Sequence, residues 1–324
     1  IVGRSTTAAL DFAAMMAKAS RTFKKFESIY PGYADSMLRL AVKAYNWAKA
    51  NPNMYFTNPT DVSTGGYGDT NANDEFVWAQ CELFLSTGDI SYLNAAYIGN
   101  QTFGIPTWGN TNSLGLFSLY QSVDTLNIPT ATKTVITNAM NQISNGLVNT
   151  IKTSAYRVPL TSFAWGSNGY TAMQGMVLLE IYKKTKNRIY LDGATAILDY
   201  LLGKNATGYS FVSGFGQKFP LNLHDRRSVA DAFAGSLPGY LAGGPTTNAV
   251  SDCGAAMYPS TYPAKSYIDA NCSYSTNEIA INWQGPMAYL SSALDAELNH
   301  FSIVPDNATT DSSGSKIFVT CPSN

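Results

Sequence analysis

The chain has 324 residues, a net charge of −1 and a pI near 6.1. That is ample for a continuous core, without the basic excess that grips nucleic acid or anionic lipid. Charged residues are 13%, about half the usual share, while 20 Tyr stand among many Asn, Ser, Thr and Gly. Such a surface suits neutral polyhydroxyl ligands, whose CH faces lie on aromatic rings and whose hydroxyls need neutral partners; an ordinary extracellular surface has the same bias.

The N-terminus, IVGRSTTAAL, has neither an initiator Met nor a signal-peptide core and reads as a chain entered in its middle. Ser5 is the predicted N-cap of a first helix, with Leu10, Ala13, Ala14 and Ala17 at helical spacing. Segments 37–50, 73–88, 130–152, 169–185 and 189–205 behave alike, most ending in Gly or Asn. Strand-like alternation is sparse, YSFVSGFG (209–216) being the best candidate. Residues 82–96 and 179–194 share a pattern: an apolar helix end, a polar turn, then Tyr-Leu opening the next helix. Residues 23–38 are a looser third copy. Repeated hairpins that bury their apolar faces only against neighbours predict an α/α toroid or solenoid, with roughly nine helices by periodicity.

Residues 203–228 and 236–275 are long, rich in Gly, Pro, Asn and Tyr, and poor in helical period, as functional loops are. Cys253 and Cys272 flank one such region and are candidates for a disulfide in an exported protein; Cys81, in apolar helical surroundings, is expected reduced and buried. The Asn100, Asn205, Asn271 and Asn307 sequons decide nothing in an Asn-rich chain. No apolar run is long enough to span a bilayer. After about His300 the chain turns polar, like a linker or the start of a further module.

Three loops offer chemistry. In 208–228, His224 stands beside Asp225, Arg226 and Arg227, fixed donors for sugar hydroxyls, or else a turn in which Asp225 pairs an arginine. In SYSTNEIAINWQGP (273–286), Glu278 is either a helix-start residue or, with Tyr267, Asp269, Tyr274 and Trp283 around it, an acid kept protonated by desolvation. In GGYGDTNANDEFVWA (65–79), Asp69, Asn71, Asp74 and Glu75 offer oxygens to a hard cation such as calcium, or else Asn73 or Asp74 caps a helix.

These stretches together resemble glycoside hydrolase family 9, the inverting cellulases built on an (α/α)6 barrel. YSFVSGFG followed by His224-Asp225-Arg226 is similar to the family's histidine-arginine signature. Tyr267-x-Asp269, Tyr274 and Glu278-x-Ala280 are similar to its acid-bearing signature. FAWGSN (163–168), DYLLGKNATGYS (199–210) and PAKSYIDANCSYSTNEIAINW (263–283) agree in order. The resemblance implies Glu278 as general acid, Asp269 as a supporting carboxylate, and His224 and Arg226 as holders of sugar hydroxyls. It implies Trp165, Trp283 and Trp108 as stacking platforms, with Tyr274 beside them. No cofactor is needed for the chemistry, but a structural Ca2+ is implied at Asp69, Asn71, Asp74 and Glu75, Asp74 being the firmest ligand and Asn110 lying near a further one.

Two departures stand out. Gln284-Gly285 occupies the place where the family has Asn-Ala. Inverting hydrolysis also needs a second carboxylate about 6.5–9.5 Å from the acid, which the family takes from an Asp-x-x-Asp-Tyr motif that this sequence lacks. The expectation is therefore an all-α, incomplete (α/α)6 barrel with roughly nine of twelve helices. Residues 1–300 would be the C-terminal two-thirds of a catalytic domain, and 301–324 a linker or the start of a carbohydrate-binding or Ig-like module. The implied function is secreted hydrolysis of cellulose or soluble β-1,4-glucan, this chain alone being inactive, with no nucleic-acid or membrane partner. The rivals are a non-catalytic glucan-binding α/α protein, a helical scaffold for protein partners, and an exo-acting member of the same family.

Overall fold

A computed structural model describes residues 3–62, 68–230, 235–247 and 252–298. The proposed linker (301–324), Cys321, the Asn307 sequon and Gly65 to Tyr67 of the possible cation loop lie outside the described residues.

Eleven α-helices occur among the described residues: α1 (Thr6–Phe23), α2 (Tyr33–Ala50), α3 (Asn73–Thr87), α4 (Ile90–Ala96), α5 (Asn112–Ser122), α6 (Thr130–Thr153), α7 (Ser167–Thr185), α8 (Arg188–Leu201), α9 (Arg226–Ala230), α10 (Tyr274–Asn277) and α11 (Ile281–Leu298). Two are single turns, α9 with five residues and α10 with four, which leaves the nine expected from periodicity. They form two rows. Helices α1, α3, α5, α7 and α11 pack side by side in sequence, while α2 and α8 pack on the outside of α1 and α7, and α4 and α6 beside α3 and α5.

The sequence encodes the two rows by different patterns. Helix α7 buries 13 of its 19 residues, so apolar and small side chains run round its whole circumference. Helix α6 buries five of 24, a single stripe at helical spacing through Ile136, Met140, Ser144 and Leu147. The repeat seen in sequence is a repeat of turns. Asp89 and Asn187 cap α4 and α8 by accepting the N–H of Ser91 and Ile189, and the preceding helices end in the left-handed conformation at Gly88 and Lys186.

The first helices pack through alanine. Leu10, Ala13, Ala14 and Ala17 meet Ala41, Ala48 and Ala79 without exposed surface, which lets α1 lie close on α2 and α3. Ser5 caps α1 as expected. Glu82 is fully buried below them, where an ion costs several kcal/mol to desolvate. Arg21 pairs with it, and Ser118 and Trp78 donate to its Oε1 at 2.5 and 3.3 Å. Cys81 is buried and reduced, and Cys253 is bonded to Cys272.

No strand forms among the described residues, and the stretch 209–216 contributes only a single bridge, Val212 with Leu241. Its Gly214 and Gly216 take positive φ and Phe211 goes to the core, so the chain turns instead of running on. Every candidate site residue lies on or beside the loops that precede α3, α5, α7 and α11.

Candidate functional site

Glu278 is not a helix-start residue. It follows α10 in extended conformation, φ −66° and ψ 156°, and α11 begins only at Ile281. Its segment is fastened from both sides: His224 N–H donates to Asn277 O at 2.9 Å, and Gly243 N–H donates to Glu278 O at 2.9 Å. His224 Nδ1 lies 2.6 Å from Asn271 O. A carbonyl only accepts, so Nδ1 carries the proton and Nε2 is left for a ligand.

Aromatic rings complete this corner. Trp165, 44% exposed, stacks on Tyr274 with ring centroids 5.7 Å apart and 27° between planes. Tyr274 meets the His224 ring edge-on at 6.0 Å. Burial raises the Glu278 carboxyl above its ordinary 4.5, and a hydrogen bond from the Trp165 side chain and the neighbouring His224 restrain the rise. The arrangement is a half-buried acid, raised by burial, beside a partly exposed indole.

Around this corner, the other sequence candidates take separate roles. Asp269 accepts Leu221 N–H at 2.9 Å and Asn222 N–H at 2.8 Å, so it clamps the chain leading to His224. Asp225 does pair an arginine, but it is Arg227, through Nε at 3.0 Å; Arg226 opens α9 on the exposed side beside His224. Trp108 is half exposed on the loop before α5. Trp283 is packed closely by backbone on part of its ring. Its indole is half-buried and wedged against Gly166, Gly169 and Gly243, each of which would drive a Cβ into the ring. It props the Trp165 loop from behind.

Three motif residues without a role assigned from sequence hold the corner together. Asn277 receives the Tyr267 hydroxyl at 2.7 Å and donates to Asn222 O at 2.5 Å. Asn168 donates to Ala242 O at 3.0 Å. Gln284, the amide that departs from the family pattern, both donates to and accepts from the Leu241 backbone at 2.8 Å, so its extra length reaches a full backbone pair. Its place in the motif is the sequence signal for it; Asn277 stands next to the acid, and Asn168 closes the FAWGSN stretch.

The second candidate corner is acidic. Asp69 accepts Asn71 N–H at 3.0 Å and Asn71 accepts Asn73 N–H at 3.2 Å, both local turns. Ala72 is the N-cap of α3, so neither Asn73 nor Asp74 caps it. Asp74 accepts Thr111 N–H at 2.7 Å, which joins α3 to the loop before α5. Glu75 is buried, its Oε2 unpartnered, and burial and the Asp74 charge push its carboxyl up to about 9. Asp11 on α1 is pushed up to about 6 by burial, Asp74 and Asp69, and its Oδ1 is also buried and unpartnered. Excess negative charge with orphaned oxygens is the chemistry a hard cation answers. Yet no three His, Cys, Asp or Glu side chains among the described residues are arranged to hold a metal ion.

Comparison with known proteins supplies a frame for both corners. The profile of glycosyl hydrolase family 9 matches residues 2–291. A xyloglucan-specific endo-β-1,4-glucanase of Bacteroides ovatus is 38% identical over 310 residues, covering 91% of this chain and 52% of its own. A cellulose 1,4-β-cellobiosidase of Acetivibrio thermocellus is 33% identical over 328 residues, covering 90% of this chain and 36% of its own. Among solved structures, a thermostable endoglucanase mutant of Alicyclobacillus acidocaldarius superposes with a TM-score of 0.82 at 27% identity, covering 90% of this chain and 55% of that one. The chain thus spans about half the length, or less, of the relatives it matches. The nine longer helices are part of the (α/α)6 barrel of these structures.

Proposed function

The chain belongs to glycosyl hydrolase family 9, and we propose that it carries the proton-donating half of an inverting β-1,4-glucanase site. Glu278 gives its proton to the glycosidic oxygen as the C1–O bond breaks. A water attacks C1 from the opposite face and loses its proton to a second carboxylate, assigned to residues outside this sequence. His224 Nε2 and Arg226 hold sugar hydroxyls, and Trp165 with Tyr274 receives the apolar face of a glucose ring. Cellulose, soluble β-glucans and xyloglucan, the substrate in one relative's name, are the substrates to test.

The observation that supports this reading is the raised Glu278 carboxyl beside Trp165 and His224. Its test is Glu278→Gln in the intact enzyme, where loss of a positioned acid should lower turnover of unactivated glucan about 10²- to 10⁴-fold. Wild-type turnover by the variant would remove Glu278 from the role of general acid. The Cys253–Cys272 disulfide supports export to an oxidising compartment. A structural Ca2+ would be held by Asp74 and Glu75, with Asp69 and Asn71 as further oxygen donors, and would neutralise the charge crowded there.

A further inference from the structure

Asp252 belongs to no motif, and every acceptor position of its carboxylate is taken. Oδ2 receives Ser275 N–H at 2.9 Å and Ser275 Oγ at 2.7 Å; Oδ1 receives Cys253 N–H at 2.9 Å and the Tyr258 hydroxyl. Burial opposes the Asp252 anion, but the Ser275, Tyr258 and Cys253 donors outweigh it and hold the carboxyl below its ordinary range. An anion with its lone pairs filled in this way has none to spare for a ligand. It is a tether, and what it tethers is α10.

That turn carries the acid corner. Tyr274 stacks on Trp165, Asn277 O holds His224 N–H, and Glu278 follows directly. Ser275, at its centre, is buried at 2% exposure. Tyr258 reaches the same turn, its hydroxyl 2.7 Å from Ser273 Oγ and 3.3 Å from Ser275 Oγ. The disulfide Cys253–Cys272 adjoins both parts: Cys253 follows Asp252, and Cys272 follows Asn271, whose carbonyl fixes His224 Nδ1. One staple therefore backs both the tether of the acid's helix and the holder of the histidine.

We propose that Asp252, held by the adjoining Cys253–Cys272 disulfide, is a positioning residue for the general acid Glu278. The inference rests on the glucanase reading above and deepens it. Asp252 touches no reacting atom; it sets where the Glu278 proton stands relative to the glycosidic oxygen. An ångström of misplacement at such a step costs up to about a hundredfold.

The test uses two substrates on the intact enzyme. Unactivated glucan has a leaving alkoxide that needs the proton, whereas 2,4-dinitrophenyl β-cellobioside releases a phenolate that does not. Asp252→Asn keeps the shape but turns an amide towards the Ser275 donors. It is expected to lower kcat on glucan about ten- to a hundredfold, and on the aryl glycoside less than about threefold, with KM unchanged for both. Ser275→Ala, which removes only the hydroxyl arm, and the Cys253→Ser, Cys272→Ser pair should show the same split at smaller size. Ser275→Ala decides the matter if Asp252→Asn does not fold. Equal losses on both substrates would show a loop stabiliser and overturn the proposal, as would no loss on either. If the unsubstituted enzyme turns over neither substrate, the glucanase reading itself falls and this inference with it.

Discussion

The two ends of α3 and α10 each present a carboxylate raised by burial, and they could hardly be used more differently. At Glu278 the hydrogen bond from Trp165 and the neighbouring His224 restrain the rise that burial causes, and the residue is half-buried. At Glu75 the rise is large because the nearest groups are other acids, Asp74, Asp11 and Asp69, and the oxygen left over meets no donor. A raised carboxyl is therefore not by itself a working acid. Glu278 has neutral or aromatic neighbours, Trp165, His224 and Tyr274, whereas Glu75 sits in a charge imbalance within the fold.

The same substitution at both corners separates them. Glu278→Gln should remove the 10²- to 10⁴-fold contribution of the acid while shifting folding stability by less than about 1 kcal/mol. Glu75→Gln should leave the chemistry in place and change the pH dependence of stability. The native carboxyls of Asp11 and Glu75 lie above their ordinary 3.8 and 4.5, so the stability they lend is full below those values. It is lost as pH rises, through about 6 for Asp11 and about 9 for Glu75. Melting temperature should thus fall between pH 5 and pH 9, and Glu75→Gln should flatten the upper part of that fall. Added Ca2+ should raise the melting temperature at pH 8 in a concentration-dependent way. A flat profile in the unsubstituted protein would contradict the reading of the acidic corner.

A smaller effect probes the packing behind the acid. Gly169 lies against the Trp283 indole, and a methyl there would overlap the ring. Gly169→Ala should cost about 1–3 kcal/mol, read by urea denaturation. It should also weaken cello-oligosaccharide binding through the Trp165 loop that Trp283 supports. Undiminished stability would mean that Trp283 has another place to go.

How much of this could be read from the sequence differs by element. Helices α1, α2 and α8 announce themselves because each buries one stripe and leaves a polar face. The hairpin turns are legible because Asp89 and Asn187 cap in the same way. The segment 209–216 misleads, since its apolar residues at alternate positions reflect a turning chain with Phe211 in the core. The acid corner was legible as motifs but its mechanics were not. Nothing in the sequence signals that the Trp283 indole packs against Gly166, Gly169 and Gly243. Asp252 carried no signal, because its partner Ser275 lies 23 residues away and the loop between them has no periodicity.

Whether Glu278 is held as a proton donor by Trp165 and His224 can be measured directly on this chain. A 13C-carboxyl NMR titration should give Glu278 a midpoint above the ordinary 4.5, and Trp165→Phe, which deletes the indole hydrogen bond, should move it higher still. A midpoint at or below 4.5, or one that Trp165→Phe leaves in place, would contradict the account.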